Sequence, residues 1–333
     1  MRDVAERAGL SVTTVSHVIN NSRTVSDASR QRVLQAMEEL DYRPNALARS
    51  LRRQQTNTIG MIVPDSANPF FAEIARAIED ASFAQNYSVI LCNSEGDLEK
   101  QRTYTNVLIE KRVAGILFVA AGISTELIND LWRRRVPLVV IDREVPGVEV
   151  DTVLTNHAQG GRLATQHLIN LGHRRIACIS GSSQLSPSSE RVTGYRDALK
   201  ANELALDEDL VVRGDFQYES GYEATHQLLR RETPPTAIFA CNDLMAVGCI
   251  SAAAVLGYDV PIDLSVVGFD DVRLASFTNP LLTTVAQPKH EISRLATEML
   301  LERIGDPDAR PRFARLDTEL RLRNSTAAPP ERD

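Results

Sequence analysis

The chain has 333 residues, of which 43% are hydrophobic and 24% are charged, and its formal net charge at pH 7 is −7. This length is too great for one small core and predicts two or three compact units. No run approaches about 18 consecutive apolar residues, which excludes an ordinary membrane span, and the first residues lack the apolar core of a signal peptide. We therefore expect a cytoplasmic protein.

The charge is divided unevenly along the chain. Residues 1–56 contain nine arginines and six acidic residues, a net charge of +3, so the remaining residues carry −10. A basic N-terminal segment joined to an acidic body indicates that the N-terminal segment binds a polyanion.

The cysteines and histidines show no metal-binding pattern. No C-x-x-C or H-E-x-x-H motif is present, and the four cysteines are far apart in sequence: Cys92, Cys178, Cys241 and Cys249. This spacing favours buried, reduced thiols over a zinc site. We expect no metal and no cofactor.

Three short helices are predicted before residue 42. The first ends at Gly9, Ser11 caps the second, and the third begins after Ser26. Two short helices joined by a glycine turn fit a helix-turn-helix, although a plain helical hairpin has the same pattern. The residues exposed at the start of the second helix are small enough to approach base edges in a major groove: Val12, Thr13, Ser16 and His17.

From Thr58 onward, strands alternate with helices. Apolar strand-like runs occur at 58–63, 88–92, 113–119, 136–141, 174–179, 236–241 and 265–269. Amphipathic helical segments separate most of them, at 70–86, 98–111, 157–171, 219–231 and 243–256. This alternation predicts parallel α/β sheets, and its length predicts two lobes. The last ten residues, 324–333, are expected to be disordered.

Ligands of parallel α/β sheets bind at the carboxyl ends of the strands. The residues that follow the predicted strands there combine aromatic rings with carboxylate, guanidinium and amide groups, as a sugar site does: Asn68, Phe70, Phe71, Asp142, Arg143, Arg191, Phe216, Asn242, Phe269, Asp270 and Gln287. Each alone has an ordinary structural interpretation, such as a helix cap for Asp142 or a surface ion pair for Arg191. Asp243 fits a cap better than a ligand.

Residues 3–20 resemble the N-terminal signature of the lactose-repressor/galactose-repressor (LacI/GalR) family, D-V-A-x-x-A-G-[VL]-S-x-x-T-V-S-x-V-I-N. Residues 42–51 resemble the hinge helix of that family, which is expected here at 45–51. The resemblance implies base readout by Val12, Thr13 and His17. It also implies that Leu51 is a wedge in the minor groove, and that further DNA contacts come from Asn45, Arg49 and Arg52.

The body is similar to the periplasmic sugar-binding fold of the family's effector domains. The motifs N-P-F-F, [LI]-D-R, E-R-x-x-G-[YF], A-x-N-D-x-M-A, V-G-F-D and A-Q-P occur in the order found in ribose-binding proteins and the ribose-repressor branch. The resemblance implies that the eleven residues above bind the ligand, with Phe70 and Phe216 on either side of a sugar ring. Asp142 with Arg143, and Arg191 with Asp270, would hold its hydroxyls. Pro64 departs from the pattern.

Together these features predict a non-enzymatic, dimeric repressor that binds palindromic operator DNA and is induced by D-ribose. The expected fold is an all-α helix-turn-helix headpiece, 1–56, followed by an effector domain of two parallel-sheet lobes, 57–323. The first lobe would contain about 57–157 and 288–317, and the second about 158–287 and 318–323.

Several alternatives remain open. The effector could be another pentose, a hexose or a purine corepressor, although the purine branch favours an aromatic residue where Arg143 stands. A transport protein or a sugar enzyme with Asp142 and Asp270 as an acid/base pair has less support. The helix-turn-helix argues against a transport protein, and no phosphate-binding or metal motif favours an enzyme.

Overall fold

The structure is a computed structural model that describes residues 1–20, 23–42, 56–119, 124–145, 147–182 and 187–331. The chain divides into two compact units, Met1–Thr56 and Asn57–Asp333.

The first unit contains three described helices: α1 (Arg2–Ala8), α2 (Val12–Asn20) and α3 (Asp27–Glu39). Gly9 ends α1 with φ 62°, and a Cβ at this position would lie 2.6 Å from Nη2 of Arg32. The left-handed backbone favours glycine here, whereas the flexible end of Arg32 could move to admit a Cβ. Ser11 accepts a hydrogen bond from the backbone N–H of Thr14 at 3.0 Å, and Ser26 caps α3. The predicted starts of α2 and α3 and the predicted end of α1 are confirmed.

A small apolar core holds these helices together. It is built from short side chains that allow close helix contact: Val4, Ala5, Ala8, Val15, Val18, Val33 and Ala36. An ion pair of 2.5 Å between Arg7 on α1 and Glu39 on α3 adds a contact at the surface. The predicted hinge helix, 45–51, lies outside the described residues.

The described strands of the second unit form two six-stranded sheets. The first sheet has the order β11-β5-β4-β3-β1-β2, and its strands are all parallel: β1 (Thr58–Val63), β2 (Ser88–Asn93), β3 (Gly115–Val119), β4 (Leu138–Ile141), β5 (Asp151–Thr155) and β11 (Phe313–Leu316). The second sheet has the order β12-β10-β9-β8-β6-β7: β6 (Ile176–Ser180), β7 (Val211–Arg213), β8 (Ala237–Ala240), β9 (Ser265–Asp270), β10 (Thr283–Ala286) and β12 (Glu319–Arg321). Only β12 of these strands runs antiparallel to its neighbour.

Helices connect most of the strands. The first lobe contains α4 (Pro69–Ala84), α5 (Leu98–Glu110), α6 (Thr125–Arg133) and α11 (Lys289–Gly305), and the second contains α7 (His157–Asn170), α8 (Ser188–Ala201), α9 (Tyr218–Leu229) and α10 (Asp243–Val255). Among the described helices, none has the length and apolar character to cross a lipid bilayer. The predicted fold class, a helical headpiece followed by two parallel-sheet lobes, is confirmed.

The chain passes between the lobes three times. It crosses after β5, after β10 and between β11 and β12, so each sheet contains a strand from the last fifth of the sequence. Apolar clusters cover both sheets. All four cysteines are buried and free, and the Sγ atoms of Cys178 and Cys241 are 3.9 Å apart.

The C-terminal segment differs from the expectation of disorder. Ser325 is fully buried; its hydroxyl donates to the carbonyl of Val266 at 2.6 Å and accepts from the backbone N–H of Thr283 at 2.8 Å. The segment is ordered because its polar atoms satisfy backbone groups of β9 and β10. The predicted disorder is therefore wrong for residues 324–331; residues 332–333 lie outside the described part of the chain.

Candidate functional site

The predicted base-reading residues lie on α2 of the first unit. Val12, with 44% of its surface exposed, and Thr13 are exposed at the start of the helix, while Ser16 and His17 are half-buried. Buried Val15 and Val18 anchor the helix to the core. An exposed N-terminal turn on a second helix is the geometry by which helix-turn-helix proteins reach base edges. Asn45, Arg49, Leu51 and Arg52 lie outside the described residues.

A buried ion pair lies at the carboxyl end of the second sheet. Arg191, in the first turn of α8, has its Nη2 atom 3.5 Å from Oδ1 of Asp270, the last residue of β9. Each residue is only 4% exposed. Gln287, which follows β10, donates from Nε2 to the same Asp270 oxygen at 2.7 Å. Burial raises the pKa of Asp270, and Arg191 and Gln287 act in the opposite direction.

Aromatic rings flank the guanidinium of Arg191. Its Cζ atom is 3.8 Å from the ring centre of Phe269 and 5.9 Å from that of Phe216, close enough for cation–π attraction. Arg191 also donates to the carbonyl of Cys241. The backbone carbonyl of Phe216 accepts a hydrogen bond from Nδ2 of Asn242 at 2.9 Å. Arg191 therefore has charged, aromatic and carbonyl partners in one buried cluster.

Asp142 of the first lobe joins this cluster through His157. Oδ1 of Asp142 is 2.7 Å from Nε2 of His157, and Nδ1 of His157 is 3.3 Å from Nε of Arg191. The sequence pattern does not point to His157, although it follows a strand as the other candidates do. A prediction of β5 would have identified His157 as a residue that follows a strand. The apolar pattern of the sequence does not predict β5.

A close helix crossing brings His157 and Arg191 together. His157 begins α7 and Arg191 lies on α8. Where these helices cross, a Cβ on Gly161 would collide with the backbone of Arg191, and a Cβ on Gly194 would collide with the backbone of Ala158. Glycine at both positions therefore permits the separation at which the two side chains meet.

Three of the clustered residues have left-handed backbone conformations. The φ angles are 67° for Asp142, 71° for Phe216 and 106° for Asp270. Such angles are tolerated by aspartate but are costly for a bulky aromatic residue. At Phe216, the hydrogen bond between its carbonyl and Asn242 helps to hold this conformation.

The remaining predicted ligand residues belong to the first lobe and have other described contacts. Asn68 caps α4 by accepting from the backbone N–H of Phe70 at 3.0 Å. Phe70 is buried in the same apolar cluster as Val272, two residues beyond Asp270, and half-buried Phe71 packs on that cluster. Arg143 is partly exposed and makes no hydrogen bond or ion pair within the described residues. The contacts thus connect seven of the eleven candidates and leave these four outside the cluster.

Two further residues support the loop after Asp270: Lys289, which the sequence analysis did not identify, and Asp243, which it favoured as a helix cap. Nζ of Lys289 donates to the carbonyls of Asp270 and Asp271, at 2.9 and 2.5 Å, and pairs with Glu73 of the first lobe at 2.9 Å. Asp243, fully buried, accepts from Thr284 and from the backbone N–H of Val272. Asp243 thus has a structural role, but the predicted cap is wrong, because Asn242 caps α10 by accepting from the backbone N–H of Met245. Burial raises the pKa of Asp243 well above the usual range.

The cluster contains the kinds of group that a neutral, polyhydroxylated molecule requires. It offers carboxylate acceptors, guanidinium and amide donors and aromatic faces, the groups that take hydroxyls and C–H surfaces. Within the ranges that the structure describes, no group of three or more His, Cys, Asp or Glu side chains is arranged to hold a metal ion.

Comparisons with known proteins identify both units. Residues 1–45 match the family described as bacterial regulatory proteins, lacI family, and residues 165–326 match the periplasmic binding protein-like domain. The chain is 42% identical to the HTH-type transcriptional repressor PurR of Photobacterium profundum, over 98% of each chain.

Solved structures of transcriptional regulators are also similar to this chain. The lac repressor dimer bound to operator and the anti-inducer ONPF matches 98% of each chain with a TM-score of 0.88 and 30% identity. A LacI family transcriptional regulator from Enterococcus faecium with bound ribose matches 81% of this chain and 99% of its own, with a TM-score of 0.73 and 33% identity. These similar proteins are transcriptional regulators, in agreement with the expectation of a non-enzymatic protein. The helix-turn-helix, the two parallel-sheet lobes and these similarities show that the chain belongs to the LacI family of DNA-binding transcriptional repressors.

Proposed function

We propose that this protein is a homodimeric repressor that leaves a palindromic operator when D-ribose binds between its lobes. The observation that carries the proposal is the buried cluster in which Asp142 of the first lobe meets Arg191 and Asp270 of the second through His157. A ligand held by both lobes links its own binding to their relative position, which is the requirement for an allosteric effector.

A small sugar fits the chemistry of this cluster. Asp142 and Asp270 supply acceptors, Arg191 supplies donors, and Phe216 and Phe269 supply apolar faces for C–H groups. Oε1 of Gln287 is buried and has no hydrogen-bond partner within the described residues, so a ligand hydroxyl would satisfy an otherwise costly acceptor. The regulator from Enterococcus faecium, with its bound ribose, also supports a pentose.

A purine is the second candidate effector. The similarity to a repressor named PurR favours it. The residue at position 143 argues against it, because the purine branch favours an aromatic side chain there, whereas this chain has partly exposed Arg143. A purine would also have the opposite effect on operator binding: as a corepressor it would strengthen this binding, whereas an inducer weakens it.

For operator binding, we assign base readout to Val12, Thr13, Ser16 and His17 on α2. The hinge residues Asn45, Arg49, Leu51 and Arg52 are proposed to contact phosphates or the minor groove, with Leu51 as the wedge. A palindromic operator mirrors a two-fold symmetric dimer. Exposed Phe83 on α4 and Leu91 on edge strand β2 provide apolar surface for a second copy, and they are 74% and 47% exposed.

Calorimetry would test the effector. The full chain is titrated with D-ribose, other pentoses, hexoses and purine bases, and operator affinity is then measured by fluorescence anisotropy on a palindrome obtained by in vitro selection. We expect D-ribose to bind most tightly and to weaken operator binding. Tighter binding of a purine, or stronger operator binding in saturating ribose, would replace ribose with a corepressor.

Two variants would test the proposed effector residues, one inside the cluster and one outside it. Asp142→Ala and Arg143→Ala are expected to bind the operator as the parent protein does but to lose the response to ribose, since each removes a partner of a ligand hydroxyl. An unchanged response in both variants would place the sugar elsewhere.

A further inference from the structure

His157 joins the two lobes within the buried cluster. It is the first residue of α7, directly after the chain crosses from β5 into the second lobe, and it is only 2% exposed. Its Nε2 atom is 2.7 Å from Oδ1 of Asp142 in the first lobe, and its Nδ1 atom is 3.3 Å from Nε of Arg191 in the second. One imidazole ring therefore lies between a carboxylate of one lobe and a guanidinium of the other.

These two contacts select one tautomer of the ring. An arginine N–H can only donate, so Nδ1 of His157 must accept and cannot carry a proton. The single ring proton of the neutral imidazole is then on Nε2, which donates it to Asp142. A doubly protonated ring would direct an N–H group at the Arg191 guanidinium, placing two cations in contact in a buried site.

The two contacts of His157, with Asp142 and with Arg191, are called the His157 bridge below. They use only part of the hydrogen-bonding capacity of Asp142 and Arg191. A carboxylate can accept about four hydrogen bonds, yet within the described residues the Asp142 side chain has no donor other than His157. Arg191 uses Nε on His157 and Nη1 on the carbonyl of Cys241, while Nη2 lies 3.5 Å from Asp270. The second oxygen of Asp142 is thus held in a fixed orientation with its acceptor capacity unused.

We propose that His157 is a positioning residue of the effector site, which in its neutral Nε2–H form aligns Asp142 with Arg191 so that a ligand hydroxyl can donate to the second oxygen of Asp142. This proposal rests on the proposed function, in which a sugar binds at this cluster. It assigns to His157 a role that the eleven sequence-derived ligand residues do not include. Leucine at this position would remove both bonds, whereas the amide of glutamine can donate through Nε2 and accept through Oε1.

The tautomer can be measured without any ligand. Nitrogen-15 NMR of the full chain, with the ring assigned by its loss in His157→Gln, is expected to show a protonated Nε2 and an unprotonated Nδ1. A ring protonated on Nδ1 would overturn the bridge. This measurement does not depend on which molecule is the effector, so it separates failure of the bridge from failure of the ribose assignment.

Calorimetry with D-ribose then tests positioning. We expect His157→Leu to weaken ribose binding about tenfold or more, the scale for losing a buried hydrogen bond to a charged group, and His157→Gln to restore it to within about threefold of the parent. His226→Leu and His226→Gln are matched controls, because half-buried His226 stacks on Tyr222 within α9; both should bind ribose normally. Equal losses in His157→Leu and His157→Gln, or no loss in His157→Leu, would contradict the proposal. If the parent protein does not bind ribose, the ribose effector is wrong, and the tautomer still decides whether the bridge exists.

Discussion

Arg191 has more partners than any other charged side chain of the proposed effector site. It contacts Asp270 and His157, donates to the carbonyl of Cys241 and lies over the ring of Phe269. Burial raises the pKa of Asp270, and the nearby positive charge of Arg191 is the main influence that opposes this rise. Arg191 therefore favours the ionised form of a carboxylate that is proposed to hold the ligand.

Arg191→Met should raise the pKa of Asp270 further and abolish ribose binding. Methionine retains much of the volume but removes the charge, so burial is no longer opposed by the largest favourable interaction of the carboxylate. Carboxyl carbon-13 NMR titration would follow Asp270, and calorimetry would follow ribose. Arg196→Met on the same helix is the control, because Arg196 pairs at the surface with exposed Glu208. A lower pKa for Asp270 in the Arg191 variant would contradict this account.

His17→Ala should change base preference at one position in each half-site. His17 is on α2 near its exposed N-terminal turn, where a side chain reaches base edges and not only phosphates. The preferred base should lose about 1–3 kcal/mol of discrimination, measured by anisotropy on a set of single-base operator variants. Equal loss on every operator would remove His17 from base readout.

At the scale of elements, the proposed site depends on how closely α7 and α8 cross. Gly161 and Gly194 lie against the backbone of the opposite helix, where a Cβ would collide with main-chain atoms. Side chains at a helix contact can shift, but a backbone collision forces the whole helix to move. Gly161 and Gly194 therefore set the separation of His157 and Arg191, although neither glycine has a side chain to contact them.

Gly161→Ala should lower both thermal stability and ribose affinity. The added methyl group would push α8 away and lengthen the contact between His157 and Arg191; overpacking of this kind typically costs about 1–3 kcal/mol. Denaturant unfolding and calorimetry would measure the two effects. Gly305→Ala is the matched control, because a Cβ there meets no atom within 4 Å. Full ribose affinity in Gly161→Ala would show that the crossing does not position the cluster.

The ordered C-terminal segment should make stability sensitive to acid. Nε2 of His173 donates to the carbonyl of Ala327 at 2.9 Å, Nδ1 contacts Thr236 at 2.8 Å, and burial lowers the pKa of His173. Since the folded state disfavours the protonated ring, the unfolded chain binds more protons below its pKa of about 6.5, and stability falls as pH drops through that value. The melting temperature should therefore fall between about pH 7.5 and 5.5. His173→Gln should reduce this slope, and an equal slope in both proteins would contradict the assignment.

The two lobes and most of the clustered residues follow from local patterns, whereas their mutual contacts do not. Asp142, Asn242 and Asp270 are predictable because each follows or ends an apolar run. Asn242 and Asp270 lie at the ends of neighbouring strands of one sheet, whereas Asp142 belongs to the other sheet and reaches the cluster through His157. The pattern misses β5 because Asp151-Thr-Val-Leu-Thr155 has polar residues at both ends, so His157 after it is missed as well. The C-terminal segment is misjudged because its composition is that of a loop, while its order comes from bonds to distant strands.

At the scale of the whole molecule, operator and effector binding must affect each other equally. If ribose weakens operator binding by a given factor, operator DNA must weaken ribose binding by the same factor, because the coupling free energy belongs to the complete cycle. Calorimetry with ribose in the presence and absence of saturating operator, compared with anisotropy in the presence and absence of ribose, would measure both factors. Such coupling is typically about 5–150-fold, and unequal factors would mean that a further species, such as a dissociated subunit, takes part.

The three crossings between the lobes also delay the completion of both sheets until nearly the whole chain has left the ribosome. The DNA-reading unit is complete by residue 56, whereas the first sheet waits for β11 at 313–316 and the second for β12 at 319–321. At about 5–20 residues per second, this interval is roughly 13 to 53 s. During that time the nascent chain contains the complete helical unit and two incomplete lobes. The unit that contacts DNA is therefore synthesised long before the effector domain is complete, and a chain interrupted shortly before its end would contain that unit without a complete effector domain.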